Sequence, residues 1–261
     1  MGGVGGLKRL YRRLIKELRI ITHKYPYRVQ CNVCGWRGRC LFSDSWHLHI
    51  VCPGCGSQIR HRLLYAAVKM IANIEIKDLI QGKRILHFAP EPAISKLLVE
   101  KAAKYVSADL CRDDVDIQLD VCNMRSVTDS SFDLIIACDV LEHVPDDSAA
   151  LREIYRVLTM HGWAILTVPQ KDNLSTKYED HNLVTPEKRK QAFGQEDHLR
   201  IYGDDFDRFL EANGFTVTIV DERNFDSEIV QKYVLFPPIL SNYPLATNHR
   251  KVYFAQKSIV C

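Results

Sequence analysis

Residues Lys83 to Leu98 read KRILHFAPEPAISKLL. An apolar run through Phe88 passes by a short turn into a segment of helical period. This is the strand–turn–helix unit in which many α/β enzymes cradle a nucleotide. Such turns are normally rich in glycine, because the backbone approaches the ligand closely and often needs positive φ. This one has no glycine. It offers Phe88-Ala89-Pro90-Glu91-Pro92, so it is either a nucleotide turn of unusual chemistry or an ordinary corner.

Working outward, strand and helix patterns alternate. Strands are expected at Arg84–Phe88, Tyr105–Asp109, Ile117–Val121, Phe132–Cys138, Ala164–Val168, Phe215–Val220 and Val252–Gln256. Helices are expected at Ala93–Ala103, Ser148–Leu158 and Asp204–Asn213, the last closed by Gly214. The polar stretch Lys171 to Glu196 interrupts the pattern as a cap or mobile loop. Alternation of this kind implies an α/β fold with a mostly parallel, doubly wound sheet and a site at the strand carboxyl ends.

Upstream the character changes. Leu7, Leu10, Tyr11, Leu14, Leu18 and Ile21 share one face of a basic amphipathic helix, suited to its own protein or to a membrane surface. Met1 to Arg62 carries a net charge of +10 within a chain of +3, a basic head on an acidic body. Five of the nine cysteines fall between Cys31 and Cys55. Cys31-x2-Cys34 and Cys52-x2-Cys55, seventeen residues apart and each followed by glycine, have the spacing of a zinc ribbon. Cys40, His47, His49 and His61 are spare candidates. A helix from Ile59 to Ile71 leads onward. The expected organisation is a basic helix over 1–26, a ribbon over 27–62 and an α/β domain over 63–261. No apolar run approaches the roughly 20 residues needed to cross a bilayer. No secretory pattern opens the chain, and the cysteine usage fits a reduced, cytoplasmic setting.

The strand ends carry the chemistry. The second ends in Asp109, about 20 residues after the turn, the usual spacing for a ribose-binding acid. The third ends in Asp120-Val121 and the fourth runs FDLIIACDVLEHVPD. That segment, with LREIYRVLTMHGWAILTVP, resembles the Rossmann-like class I S-adenosylmethionine-dependent methyltransferases, over roughly Lys83 to Lys257. It looks most like the small-molecule enzymes of the ubiquinone-biosynthesis kind. CPGCGSQIRHR, LHFAPEP and EDHLRIYG are similar to a microbial subgroup with an N-terminal zinc ribbon. The resemblance implies that Phe88, Ala89, Pro90 and Glu91 form the cofactor turn and that Asp109 and Leu110 hold the ribose. It implies likewise that Asp120 and Val121 flank the adenine and that Cys138 and Asp139 lie under the methionine part. The family's acidic start and glycine loop are replaced here, with His87 at the acidic position. Glu91 or Asp139 is then expected to supply the charge for the methionine ammonium.

Methyl transfer from a sulfonium is an in-line displacement in which placement does much of the work, and a hydroxyl acceptor profits from a base. His198, among Glu196, Asp197 and Arg200, is the first candidate for base or substrate ligand, and His143 the second. The Asn/Asp-Pro-Pro-aromatic turn of base-nitrogen methylation and a Pro-Cys nucleophile are both missing. The expectation is methylation of a hydroxyl on a small molecule or glycan. An RNA methyltransferase using the basic head is the alternative, and a non-catalytic ribbon scaffold the third reading.

Overall fold

The computed structural model describes residues 28–70 and 79–258; the amphipathic stretch Leu7–Ile21 lies outside them. The cysteine-rich segment forms a two-stranded antiparallel pair, β1 (Val29–Gln30) and β2 (Arg37–Gly38), and runs into helix α1 (Ile59–Met70). There follow β3 (Arg84–Phe88), α2 (Pro92–Val99), β4 (Lys104–Asp109), β5 (Ile117–Gln118), β6 (Phe132–Cys138), α3 (Asp147–Val157) and β7 (Leu158–Thr167). The chain ends through β8 (Tyr178–Glu179), α4 (Pro186–Phe193), β9 (Arg200–Ile201), α5 (Phe206–Ala212), β10 (Phe215–Val220), α6 (Ser227–Tyr233) and β11 (Val252–Lys257).

Seven strands make one sheet in the order β10-β11-β7-β6-β3-β4-β5. Strands β5 through β7 are parallel to their neighbours within that run, while β11 is antiparallel to both β7 and β10. The chain winds outward from β3 through β4 and β5, then returns to lay β6 on the other side of β3. This reversal opens a crevice at the carboxyl ends of β3 and β6.

Period-two alternation builds the layers. Leu86, Phe88, Ile135 and Ala137 face one core with Leu151 and Ile154 of α3 and Phe206 and Leu210 of α5. Ile85, Leu134 and Ile136 face a second core with Leu63, Leu64 and Ala67 of α1 and Ile94, Leu97 and Leu98 of α2. Burial on both faces is why β6 reads as an unbroken apolar run from Leu134 to Cys138. Helix α1, which leaves the cysteine segment, is therefore part of the sheet's own core rather than a free link. Among the described residues, no helix is long and apolar enough to cross a membrane.

Several elements differ from expectation: β5 stops at Gln118 and α2 at Val99, short of the expected Val121 and Ala103, and β9 is an added strand. Strand β7 begins at Leu158, directly after α3, with a register shift opposite Phe132/Leu134. The stretch 171–196 is not a bare loop, for it contains β8 and α4. Thr185 caps α4, Pro186 opens it and Gly194 closes it at φ 94°, all signals present in the sequence. Helix α6 fills a segment left unassigned by the strand–helix pattern.

Candidate active site

The glycine-free turn does take the backbone conformation that glycine favours. Ala89 sits at φ +46°, its N–H donating to the Ala108 carbonyl at 2.9 Å. Asp139, at the end of β6, is likewise left-handed at φ +51°. Its N–H donates to the Thr167 carbonyl at 2.9 Å, and the Thr167 hydroxyl donates to its carboxylate at 2.8 Å. Two non-glycine residues held at positive φ, one on each side of the crevice, mark a place where the surrounding structure imposes local strain.

The acids here are already paired. Arg60 and His61, from the start of α1, reach Glu91 at 2.5 and 2.7 Å. Arg60 also lies 3.4 Å from Asp139, which Arg250 approaches at 3.3 Å. Glu91 and Asp139, expected to supply charge for a ligand ammonium, are thus each shared with basic side chains of other segments: Glu91 with Arg60 and His61, Asp139 with Arg60 and Arg250. Burial works to raise the Asp139 carboxyl, but Arg60, Arg250 and the Thr167 hydroxyl outweigh it and hold it well below the usual range. For Glu91, likewise, His61 and Arg60 overcome burial.

Asp109 and Asp120 sit at the ends of adjacent strands. The Asp109 carboxylate accepts from the backbone N–H groups of Cys111 and Arg112 at 2.9 and 3.1 Å; that of Asp120 accepts from Cys122 at 2.8 Å. Leu110 is exposed beside Asp109, whereas Val121 and Cys138 are buried. Arg112 spans from this strand end to the Pro90 carbonyl at 3.1 Å. The residues singled out at the three strand ends thus lie along one edge of the sheet.

The segment EDHLRIYG is a clamp. Arg200, fully buried, donates to the carbonyls of Leu141, Val144 and Pro145 at 2.7, 2.5 and 3.1 Å, and grips Glu179 on β8. Tyr202 donates to the Leu141 carbonyl at 3.2 Å, and the Leu199 N–H to the Glu142 carbonyl at 2.8 Å. These bonds set His198 against His143, with ring centroids 4.8 Å apart and planes at 81°. Asp197 lies 3.2 Å from His143 Nδ1. Glu142, not foreseen from sequence, completes the group; ligand-type atoms of Glu142, His143 and His198 all lie within 4.8 Å of one another. Burial and the neighbouring Asp139 charge push the Glu142 carboxyl well up. Burial, with His143, brings His198 down to about 4.

A cavity of about 510 Å³ opens beside this group. Asp139, Glu142, His143 and Arg250 line one side and Trp46, His47 and Arg60 of the cysteine segment the other. His143 faces it. His198, the first candidate for base, lies behind at 1 % exposure. The contribution of the cysteine segment to this wall had no local signal in the sequence beyond the basic run Arg60-His61-Arg62.

Cys31, Cys34, Cys52 and Cys55 do converge, outside the cavity. The Sγ atoms of Cys31 and Cys55 stand 3.8 Å apart and those of Cys34 and Cys52 3.6 Å. Thiolates about 2.3 Å from one tetrahedral zinc ion would be about 3.8 Å apart, so the cluster fits that ion. Gly35 and Gly56, at φ 76° and 75°, close two matching turns by donating to the Cys31 and Cys52 carbonyls at 2.9 Å. The spare candidates go elsewhere: His61 pairs with Glu91, His47 lines the cavity and His49 Nδ1 lies 3.1 Å from the Leu41 carbonyl.

No curated protein matches the sequence. Residues 51–166 match the family model described as "Methyltransferase domain". Among solved structures, the chain is similar to an S-adenosylmethionine-dependent methyltransferase from Mesorhizobium loti, with 16 % identity, 68 % of this chain and 92 % of that one covered, and a TM-score of 0.47. It is similar also to a methyltransferase from Archaeoglobus fulgidus, at 16 % identity, 70 % and 89 % coverage, and a TM-score of 0.46. A third is the 1,6-didemethyltoxoflavin-N1-methyltransferase of Burkholderia thailandensis, at 17 % identity, 69 % and 72 % coverage, and a TM-score of 0.46. The matched span takes in β3 to β6 and nearly all of β7, and with them the crevice at the carboxyl ends of β3 and β6.

Proposed function

We propose that the chain is an S-adenosylmethionine-dependent methyltransferase that acts on a hydroxyl of a small molecule or glycan held in the 510 Å³ cavity. The observation that carries the reading is the Glu142–His143–His198 group at the cavity edge. A hydroxyl must lose its proton as its oxygen takes a methyl group, and positioned carboxylate and imidazole groups serve that need. His198 is the base or substrate ligand of this reading, with His143 between it and the cavity.

The crevice suits the cofactor. Asp109, beside Leu110, is the ribose ligand, Asp120 and Val121 flank the adenine, and the turn Phe88-Ala89-Pro90-Glu91 with Cys138-Asp139 receives the methionine part. Glu91 and Asp139 against Arg60 and Arg250 present both signs of charge, which is what the ammonium and carboxylate of an amino acid call for. When bound, the cofactor supplies a sulfonium methyl that is open to attack. The tetrahedral fit of the four thiols makes zinc the ion of the cysteine cluster. Its closed shell would leave no position for substrate, so its role is structural.

The test is transfer of labelled methyl groups from the cofactor into fractionated cell extract. Label is expected in the small-molecule or glycan fraction and absent from it for His198→Ala. Label in RNA instead overturns the acceptor class. Any RNA binding by the basic segment is expected to fall steeply with salt, as counterion release requires.

A further inference from the structure

We propose that Glu142, His143 and His198 bind a divalent transition-metal cation at the cavity edge, separate from any ion in the cysteine cluster. Glu142 and His198 are each 1 % exposed. Yet Glu142 Oε2 makes no hydrogen bond, and neither ring nitrogen of His198 makes one of good geometry, although the Phe193 carbonyl is near enough to favour the charged ring. A buried polar group without a partner is costly to fold, and here two neighbouring side chains carry that cost together. They do not satisfy each other or their neighbour: His143 Nε2 stands 3.9 Å from Glu142 Oε1, too far for a hydrogen bond. What the three groups share is a common point. Their ligand atoms lie within 4.8 Å of one another, and ligands about 2.1 Å from one ion stand roughly 3–4 Å apart. Small rotations close the shell.

The donor set names the class of ion. Two imidazole nitrogens and one carboxylate suit zinc, manganese, iron or cobalt better than calcium or magnesium, which prefer oxygen alone. Three protein ligands leave positions open, as in sites that act on substrate, and the opening faces the cavity that Glu142 and His143 line. The next layer is also in place. Asp197, 3.2 Å from His143 Nδ1, orients the ring and leaves Nε2 to ligate. Arg200 holds the 141–145 loop against β9, so that the ligands from the two segments meet.

The chemistry this serves rests on the hydroxyl reading above, although the site itself does not. With His143 and His198 ligating, the cation takes over the part given above to His198 as base: an acceptor oxygen reaching it loses its proton to solvent more readily. That oxygen then forms the new bond to the methyl carbon, while the carbon–sulfur bond breaks and its electron pair stays on sulfur. No oxidant or reductant is needed.

Cobalt titration of the metal-stripped full-length chain tests the proposal. Two equivalents are expected: one with the strong thiolate-to-metal absorption of the cysteine cluster, and one without it. His198→Ala and His143→Ala should lose the second equivalent and keep the thiolate absorption, which also reports that they fold. Asp197→Asn, at an exposed side chain, should weaken the second equivalent about 10- to 100-fold, the range for groups that orient a ligating histidine. A single equivalent in the unmutated chain, or two full equivalents in both histidine variants, overturns it. Two equivalents without methylation of any hydroxyl acceptor would uphold the site and remove the acceptor class instead.

Discussion

His87 shows at the residue scale how the departure from the family's acidic position is absorbed. It is fully buried on β3, with Nδ1 3.0 Å from the Tyr105 hydroxyl. Burial brings its pKa down to about 4, Glu91 opposing and His61 adding to the effect. The imidazole is thus neutral in the fold at neutral pH and uncharged beside the cofactor crevice. Above about pH 6.5 it is neutral in folded and unfolded chains alike and has no effect on pH dependence. As pH falls from there towards 4, the unfolded chain takes up a proton that the folded one refuses, and stability drops by up to about 3 kcal/mol. His87→Leu should therefore flatten the stability curve between pH 7 and 4, at about 1 kcal/mol cost from the lost Tyr105 bond. Parallel denaturation curves for the two proteins would refute this. Asp109, the proposed ribose ligand, gives a prediction at the same scale: Asp109→Ala should weaken S-adenosylmethionine binding by ~1–3 kcal/mol, the cost of leaving polar partners unpaired. Calorimetry reads it directly, and unchanged affinity would move the ribose site elsewhere.

Among the elements, β3, β6 and β10 matched their expected bounds because two-sided burial and alternation leave a clear pattern. Helix α3 was nearly as legible, its Asp146 side chain accepting from the Ala149 N–H at 2.8 Å as a cap. The ladder β8–β9 was not, since two-residue strands carry no period. The reversal of β11 was also hidden, because direction is set by connection and not by composition. So was the meaning of EDHLRIYG: a histidine and its acids suggest a base, but only the fold reveals that Arg200 joins the loop after β6 to β8 and β9. Arg200→Ala should cost about 3–5 kcal/mol, because it strands buried carbonyls and the Glu179 carboxylate. Arg200→Lys should recover only part, one ammonium being unable to serve acceptors spread across a planar fork. Urea unfolding measures both, and a loss under about 1 kcal/mol for the alanine variant would show that the clamp is dispensable.

For the whole molecule, the question is whether the cysteine segment is an appendage or part of the enzyme. Its spacing was plain in the sequence, but its docking was not, because the contacts join residues far apart in the chain. Arg62, buried next to Ser57, donates to the Ser57, Tyr233 and Val234 carbonyls at 2.7–2.9 Å. Trp46 stacks on Tyr243 at 5.2 Å and lies over Gly194, where an added Cβ would come within 2.7 Å of its ring. Cys55 stands only a short turn before Arg60, whose guanidinium bridges Glu91 and Asp139 in the crevice. Loss of the zinc proposed for the cluster should therefore release Arg60 and the cavity wall together. Cys34→Ser, at the exposed corner of the cluster, is expected to bind S-adenosylmethionine about tenfold more weakly or worse, the equivalent of one charge-assisted contact. Calorimetry without acceptor isolates this effect from the cation proposed at His143 and His198. Arg60→Ala should reproduce the loss with the cluster's metal content unchanged, which separates the cysteine cluster's indirect hold from the arginine's direct one. Unaltered cofactor affinity in a Cys34→Ser protein that has lost its metal would make the segment an independent module, and its contact with the crevice incidental.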